Sequence, residues 1–378
     1  MKHPLADRFD GAATILAEID ARVPDDRQHA ADTRKVVDTY HPKRLHLAVT
    51  EIIDETATSK TFRLANPDGT SLPPFLAGQY VNVFIDDTSR PFALSSSPAR
   101  LDHYDLTVRR VPNGRISNLL IDTVRVGEIL TTTGPMGTFH HNPLFHGDEV
   151  LFLAGGSGVT PAMSMIREIA DRRSGRRFHL IYGSRSDDDI VFRDELDSLS
   201  TEHPGIRVDH VIGWPTKGWS GPTGMLTAET ITALAGSLNS RMTYVCGPQA
   251  LYPYALSQLT VLGQPRRRIR FEANGAPANP VAQPHWPSGV DPNEQITVTA
   301  GATSFRTPRK RPLLDALEDN GIRPEVGCRS GECSLCRVRI IKGDVHHAEE
   351  AKLRLSDEKS GYTHSCVAYP LTDVEIDL

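Results

Sequence analysis

The sequence predicts a multidomain β and α/β protein: an antiparallel β-barrel, then a doubly wound α/β unit, then a small β unit that carries most of the cysteines. Three observations support that order. Short strand-like runs crowd between residues 45 and 132, strands and helices alternate from 149 to 272, and strand alternation restarts at 295 after a proline-rich interval. Closely spaced short strands favour a barrel, whereas alternating β and α segments favour a mostly parallel sheet. A chain of 378 residues is long enough for two or three separate cores.

Composition narrows the function classes. Charged residues make up 24% and the formal net charge is −5, so bulk charge predicts no nucleic-acid partner. No stretch approaches the roughly 18 apolar residues that a membrane helix needs, so no membrane span is expected. The opening residues Met1-Lys2-His3-Pro4-Leu5-Ala6-Asp7-Arg8 reach an acidic side chain before any apolar core, unlike a signal peptide. A reducing, cytoplasmic setting is the expectation.

Residues 1–44 read as a helical extension. Leu5, Phe9, Ala12, Leu16 and Ile19 recur at three-and-four spacing, which predicts an amphipathic helix over 5–21 ended by Pro24, with a second short helix over 33–40. Residues 45–144 are the barrel, with strands at 46–52, 60–64, 79–85, 104–111 and 128–132. Within it, Arg90-Pro91-Phe92-Ala93-Leu94-Ser95-Ser96-Ser97-Pro98 offers a cation, an aromatic face and hydroxyls, the set a phosphorylated planar cofactor requires. A strand running into a serine loop reads the same way. Residues 112–120 are a turn opening an apolar helix, with Ser117 at the expected N-cap; free N–H groups and the helix dipole there suit a pyrophosphate, as they would any capped helix.

Residues 145–275 are the α/β unit. A continuous apolar strand over 149–154 runs into the loop Gly155-Gly156-Ser157-Gly158-Val159-Thr160-Pro161 and a helix over 162–172, with Pro161 in its first turn. Strand, glycine turn and helix let backbone amides approach a dinucleotide, although this is not the G-x-G-x-x-G fingerprint. Strands at 178–183, 206–212, 242–246 and 269–272 alternate with helices at 189–198, 227–234 and 249–262. Ligands of such sheets lie at strand ends, where Ser184-Arg185 and Cys246-Gly247-Pro248 fall. Residues 276–292 hold five prolines and read as an extended linker. In residues 293–378 a strand at 295–299 precedes a helix marked by Leu313, Leu314 and Leu317.

Four of the five cysteines form one constellation, Cys328, Cys333 and Cys336 in C-x4-C-x2-C spacing with Cys366 farther on. That is the ligand pattern of a plant-type [2Fe–2S] centre, and Gly327 and Gly331 relax the loop that must fold around it. Structural zinc would show two paired knuckles where only one such pair exists, and a disulfide scaffold would not gather four cysteines in one place. Buried free thiols are the other reading.

Residues 323–378 resemble a plant-type ferredoxin of β-grasp fold, including Gly361-Tyr362-Thr363-His364-Ser365-Cys366 and the closing strand at 374–378. Residues 45–378 resemble the ferredoxin reductase family, flavin domain then nicotinamide domain, and the whole is similar to reductase components of multicomponent oxygenases. The resemblance implies a flavin seat at Arg90, Phe92, Ala93, Leu94 and Ser95, with Arg90 on a phosphate and Phe92 against the ring. It places Gly114, Ile116 and Ser117 on the flavin pyrophosphate. Gly155, Gly156, Gly158, Val159 and Thr160 match the nicotinamide-nucleotide loop, and Cys246, Gly247 and Pro248 the nicotinamide-side motif. Ser184 and Arg185 match positions beside the adenosine ribose, and Glu272 ends the reductase half near the flavin. Ala93 stands where the family has a Ser or Thr hydroxyl for flavin N5, so backbone N–H, Ser95 or Thr160 must serve. Cys246 and Thr160 are the expected catalytic side chains; a buried strand-end thiol accounts for Cys246 equally well. FAD is expected over FMN, because Gly114-Arg115-Ile116-Ser117 resembles the FAD branch and lacks a doubled glycine.

The function so implied is an NAD(P)H-dependent oxidoreductase that passes electrons through FAD to a [2Fe–2S] cluster and on to a partner protein, first a terminal oxygenase acting as hydroxylase or demethylase. A nicotinamide gives up electrons in pairs and a cluster takes one, so a flavin must stand between. The rival is a flavin and iron–sulfur subunit that wires or regulates a larger redox complex without oxidising NAD(P)H; the complete glycine loop with Ser184-Arg185 speaks against it. Arg185 can meet a 2′-phosphate, whereas Asp187, Asp188 and Asp189 would repel one, which favours NADH over NADPH. The run Arg306, Arg309, Lys310 and Arg311 reads as a solvated loop or a partner dock. His140, His141, His346 and His347 show no ligand spacing.

Overall fold

The computed structural model describes residues 14, 17, 26–40 and 42–378, except 87, 113, 239, 240, 273, 274, 278, 284, 349 and 350. The chain divides into two compact units, residues 1–43 and 44–378. In the first, helix α1 (Asp26–Tyr40) begins earlier than the expected 33. The helix expected over 5–21 falls almost wholly outside the described residues.

The second unit opens with the barrel. Strands β1 (Leu45–Thr56), β2 (Ser59–Ala65), β3 (Tyr80–Ile85), β4 (Thr88–Ala93), β5 (Tyr104–Arg109) and β6 (Ile129–Thr132) form a sheet in the order β4-β3-β6-β1-β2-β5. Every pairing is antiparallel. A bridge from Leu94 to Leu106 joins the two edge strands and closes the barrel. Alternate residues point inward, so Leu47 and Val49, Phe62 and Leu64, Val81 and Val83 meet in one core. Helix α2 (Arg115–Thr123) plugs it with Ile116, Leu120 and Ile121. The short helix α3 (Pro143–His146), which the periodicity did not reveal, leads out of the barrel.

Strands β7 (Glu149–Gly155), β8 (Arg177–Ser184), β9 (Ile206–Ile212), β10 (Met242–Cys246) and β11 (Ile269–Glu272) form a parallel sheet in the order β11-β10-β7-β8-β9. Helices α4 (Val159–Arg172), α5 (Arg193–Glu202), α6 (Ala228–Ala235) and α7 (Leu251–Val261) flank it. Leu151 and Leu153 enter one core and Phe152 and Ala154 another, which is why the strand is apolar throughout. The chain winds from β7 outward through β8 and β9 and then returns to β10, so the order reverses between β7 and β10. Ligands settle at such a reversal. Helix α5 starts at Arg193 rather than 189, because Asp189 is turned toward the barrel, where Thr56 and Thr58 each donate to it at 2.8 Å and Arg109 pairs with it.

The third part is a β-grasp: β12 (Gln295–Ala300), β13 (Thr303–Pro308), β14 (Arg337–Lys342), β16 (Tyr362–His364) and β18 (Val374–Asp377) in the order β13-β12-β18-β14-β16, with β15 (Val345–His347) pairing β17 (Ala368–Pro370). Helix α8 (Leu313–Asp319) crosses the sheet and buries Leu313, Ala316 and Leu317 against it. The proline-rich segment does not hang free between parts. Pro280–Ala282 makes a 3-10 turn, and the Trp286 ring stands edge-on to His346 at 5.2 Å and Tyr369 at 6.2 Å. Among the described residues no helix is long and apolar enough to cross a membrane.

The barrel and the α/β sheet are locked by Asp105, which is 1% exposed and accepts from Arg63 Nε at 2.9 Å and Arg167 Nη1 at 3.4 Å. Arg167, on α4, also donates to the Ser95 carbonyl at 2.9 Å. Removing a buried charge from such a pair costs far more than the pair contributes net. Asp105→Asn keeps the volume and is expected to lower unfolding free energy by about 3 kcal/mol in denaturant titrations; a loss below about 1 kcal/mol would mean that the lock lies elsewhere.

Candidate functional site

The three parts meet around a cleft of about 870 Å³. The barrel supplies Arg90, Phe92 and Ala93 from β4, Thr107 and Arg109 from β5, and Gly114, Ile116 and Ser117 from the start of α2. The α/β sheet supplies Ser157, Thr160, Cys246 and Glu272, and the β-grasp supplies Lys310, Arg311, Arg329 and Cys366. Residues far apart in sequence therefore face one another across a single space.

On the barrel side, Arg90 is fixed by bonds from Nη1 to Thr88 Oγ1 at 3.2 Å and to the Ser89 carbonyl at 2.8 Å. Burial first, and Arg329 nearby second, lower its pKa below the ordinary arginine value, so an anion at this spot relieves both. Gly114, not Ser117, is the N-cap of α2, and no side chain caps the helix. A β-carbon at Gly114 would lie 2.3 Å from Ser117 Oγ and 2.4 Å from a Val111 methyl, so a larger residue would have to displace both side chains. Ser117 Oγ is buried without a partner. Uncapped amides and an orphaned hydroxyl at a helix start fit a phosphate. Arg90, Arg109, Arg115, Lys310, Arg311 and Arg329 line the cleft with Glu272 and Asp315, while Arg109, Arg311 and Arg329 also pair with Asp189, Asp319 and Glu318.

Leu94 and Ser95, expected in the flavin seat, are instead fully buried in the barrel wall. Ser95 Oγ lies 2.9 Å from Thr107 Oγ1 and 3.2 Å from the Asp105 carbonyl, so its hydroxyl is engaged behind the cleft surface. Thr160 does line the cleft, but its hydroxyl donates to the Ser157 carbonyl at 2.8 Å.

On the opposite side, Gly156–Gly158 form a 3-10 turn that runs directly into α4. A β-carbon on Gly158 would sit 2.1 Å from the Cys246 carbonyl oxygen, and one on Gly247 3.1 Å from Gly155 Cα. The glycine loop and Cys246-Gly247-Pro248 thus touch backbone to backbone across the β7–β10 reversal. Cys246 faces the cleft, while the glycines, Val159 and Pro248 back it. Ser184 and Arg185 lie outside the cleft lining, at the end of β8, with the Arg185 guanidinium 5.4 Å from the ring centre of exposed Trp214. The acidic run beside them is partly engaged: Asp187 accepts from Thr216 N and Oγ1 at 2.7 Å each, and Asp189 belongs to the barrel contact.

Between the two sides, Cys246 Sγ lies 3.9 Å from Glu272 Oε2. Burial pushes the Glu272 carboxyl up to about 8, so it is protonated at neutral pH.

The four cysteines of the β-grasp converge. Cys328 Sγ accepts backbone N–H bonds from Ser330, Glu332 and Cys333 at 3.3, 3.2 and 3.4 Å, and the Cys328 amide points at Cys333 Sγ at 3.4 Å. Hydrogen bonds from Cys333 and Cys366 hold the Cys328 thiol far below its usual range, and the bond from Cys366 lowers Cys336. Among the described residues no three His, Cys, Asp or Glu side chains close on one point as they would around a single ion. The thiols follow one another, Cys333 beside Cys328, Cys328 beside Cys366 and Cys366 beside Cys336, and with amides aimed at sulfur this spread suits the wider two-iron core. The loop is anchored by Arg329, in the left-handed region at φ 56°, which pairs with Glu318 of α8 at 3.0 Å and donates from Nε to the Ser89 carbonyl of the barrel at 3.2 Å. A β-carbon on Gly327 would meet Cys333 Sγ at 3.0 Å and Met136 Sδ of the barrel at 3.4 Å.

Sequence reasoning missed Thr107, Arg109, Lys310, Arg311 and Arg329. Thr107 and Arg109 share one face of β5 and were within reach of strand alternation; the other three enter the site only through packing of a part some 200 residues downstream.

Because the folded pKa of Glu272 lies above its ordinary 4.5, the folded state holds the extra proton between about pH 4.5 and 8. Stability from this group is therefore greatest at the acid end and falls as pH rises toward 8, at up to about 1.4 kcal/mol per pH unit. Urea unfolding of Glu272→Gln at pH 6 and pH 8 is expected to show less of this fall than the parent; identical slopes would place the titration elsewhere.

Comparison with known proteins accords with this arrangement. Residues 46–141 match the oxidoreductase FAD-binding domain, 152–256 the oxidoreductase NAD-binding domain, and 296–371 the 2Fe-2S iron-sulfur cluster binding domain. The phthalate 4,5-dioxygenase oxygenase reductase subunit of Pseudomonas putida is 31% identical, the match covering 83% of this chain and 90% of that protein. The ferredoxin reductase component of 3-ketosteroid-9-alpha-monooxygenase from Rhodococcus rhodochrous is 29% identical over 86% of this chain and 94% of that one. Among solved structures, phthalate dioxygenase reductase superposes with a TM-score of 0.63 at 26% identity, covering 89% of this chain and 98% of that chain. With fold, cofactor domains and order all shared, the chain belongs to the ferredoxin reductase-type flavoproteins that end in a plant-type [2Fe–2S] ferredoxin domain.

Proposed function

We propose that this protein is the reductase component of an oxygenase system, taking electrons from NADH and delivering them one at a time to a terminal hydroxylase or demethylase. One observation carries the reading: a single cleft is lined by Phe92 of the expected flavin seat, Cys246 of the nicotinamide-side motif and Cys366, the fourth cysteine of the cluster constellation. FAD supplies, when bound, the change from paired to single electrons. The chain's own residues do the positioning. Arg90, Ser117 and the uncapped amides of α2 take the phosphates, and Phe92 and Ala93 offer a flat apolar wall. Cys246 and Thr160 close the opposite wall, where a nicotinamide would lie. Protonated Glu272 keeps negative charge out of the middle of the cleft and holds its proton beside Cys246. Cys328, Cys333, Cys336 and Cys366 hold the iron, and Arg329 keeps their loop against the barrel. Alignment of this kind is the protein's main contribution to electron transfer.

The relatives named as oxygenase reductase components support the partner assignment, and five cysteines without a disulfide suit a cytoplasmic setting. NADH is favoured over NADPH because Asp187 is held rigidly by Thr216 close in sequence to Arg185.

Anaerobic stopped-flow mixing with NADH is expected to bleach flavin absorbance first and cluster absorbance second; no bleaching with either NADH or NADPH would leave a wiring subunit instead. Gly158→Ala drives a methyl into the Cys246 carbonyl, so flavin and iron content should hold while KM for NADH rises at least about tenfold. An unchanged KM would detach the glycine loop from nicotinamide binding.

A further inference from the structure

The fold divides the basic run at the start of the β-grasp. Arg306 donates to the Gln295 carbonyl at 3.2 Å and Arg309 pairs with Glu294, so both are engaged along the β12–β13 hairpin. Lys310 and Arg311 line the central cleft, Arg311 while paired with Asp319 of α8. Their backbone is held in place, Lys310 N on the Pro292 carbonyl and Arg311 N on the Pro308 carbonyl, each at 2.9 Å. Arg311 also borders a second cleft of about 260 Å³ in the seam between barrel and β-grasp, and shares it with Arg115 and Ile116 of α2. Arg311 therefore flanks the same uncapped helix start that carries the orphaned Ser117 hydroxyl.

A loop held only by solvent would not place two of its cations in a cleft that also holds Arg90, Arg109, Arg115 and Arg329. Arg109, Arg311 and Arg329 of the cleft pair with Asp189, Asp319 and Glu318, and Lys310 adds its charge to that of Arg90 in the space beside the uncapped start of α2. We propose that Lys310 and Arg311 grip the flavin dinucleotide from the β-grasp side, so that its pyrophosphate is held between two parts of the chain and its adenylate lies along the seam. This rests on the flavin reading above and adds to it. The cofactor is then a tie as well as an electron carrier: whatever loosens the cluster-bearing part also loosens FAD.

The test uses the full-length holoprotein, with Lys310→Gln, Arg311→Gln, the double variant, and the conservative pair Lys310→Arg and Arg311→Lys. Flavin is removed and titrated back by fluorescence, with FAD and FMN in parallel, while visible absorbance follows the cluster. Each Gln change is expected to weaken FAD about tenfold and the pair about a hundredfold, as loss of one and two charge-assisted phosphate contacts would do. The FAD-over-FMN preference should shrink, cluster absorbance should hold, and the conservative pair should restore binding. Added salt should weaken FAD binding to the parent more steeply than to the double variant. FAD affinity within twofold of the parent in the double variant, with slower reduction of a partner protein, would overturn the proposal and make these cations a docking site. Should the Gln variants lose their cluster, the salt response of the parent decides, and a flat response overturns the proposal. A parent that binds no flavin at all would instead sink the proposed function.

Discussion

Arg329 carries the contact on which the arrangement turns. Its guanidinium reaches Glu318 within its own part of the fold and the Ser89 carbonyl on the barrel, from a loop that also presents Cys328. A largely buried cation of this kind is stable only when its guanidinium is paired. The electrostatics therefore specify one seating of the cluster loop on the flavin side, and the left-handed backbone at Arg329 is the local cost of aiming the side chain there. Electron transfer over a fixed gap needs such a seating.

The site is otherwise built by excluding side chains. Gly114, Gly158 and Gly247 each stand where a β-carbon would collide with backbone or with a buried neighbour, so glycine is set by packing as much as by ligand approach. Cys246 has a carbonyl pressed on the glycine loop and a thiol turned to Glu272, which makes one residue both a structural stop and a wall of the cleft. The same economy appears at Asp189, which limits α5 and joins the sheet to the barrel.

Much of this was legible in the sequence, for identifiable reasons. Strands buried on both faces, such as β7, announce themselves as unbroken apolar runs, and cysteine spacing is set by the geometry of iron binding, so the fold class and the four thiols could be read directly. The start of α2 differs from expectation because Ser117 has the look of a cap, while the N-cap is Gly114, with no side-chain bond to the helix. The engagement of the Ser95 hydroxyl by Thr107 on the neighbouring strand is visible only once β4 and β5 lie side by side. Lys310 and Arg311 carry no local mark that separates them from Arg306 and Arg309; only tertiary packing does so.

The proline-rich segment has a bearing on how such proteins are recombined. Ala276, Pro277 and Pro280 form part of the cleft wall, Gln249 binds the Ala276 carbonyl, and the Trp286 ring stands edge-on to Tyr369, three residues on from Cys366. What looks in sequence like a spacer between interchangeable modules is masonry belonging to both. A chimera that grafts a foreign ferredoxin onto this reductase would need to keep residues 275–292 matched to the new surface, and trimming or lengthening the segment would deform the central cleft before it altered any tether.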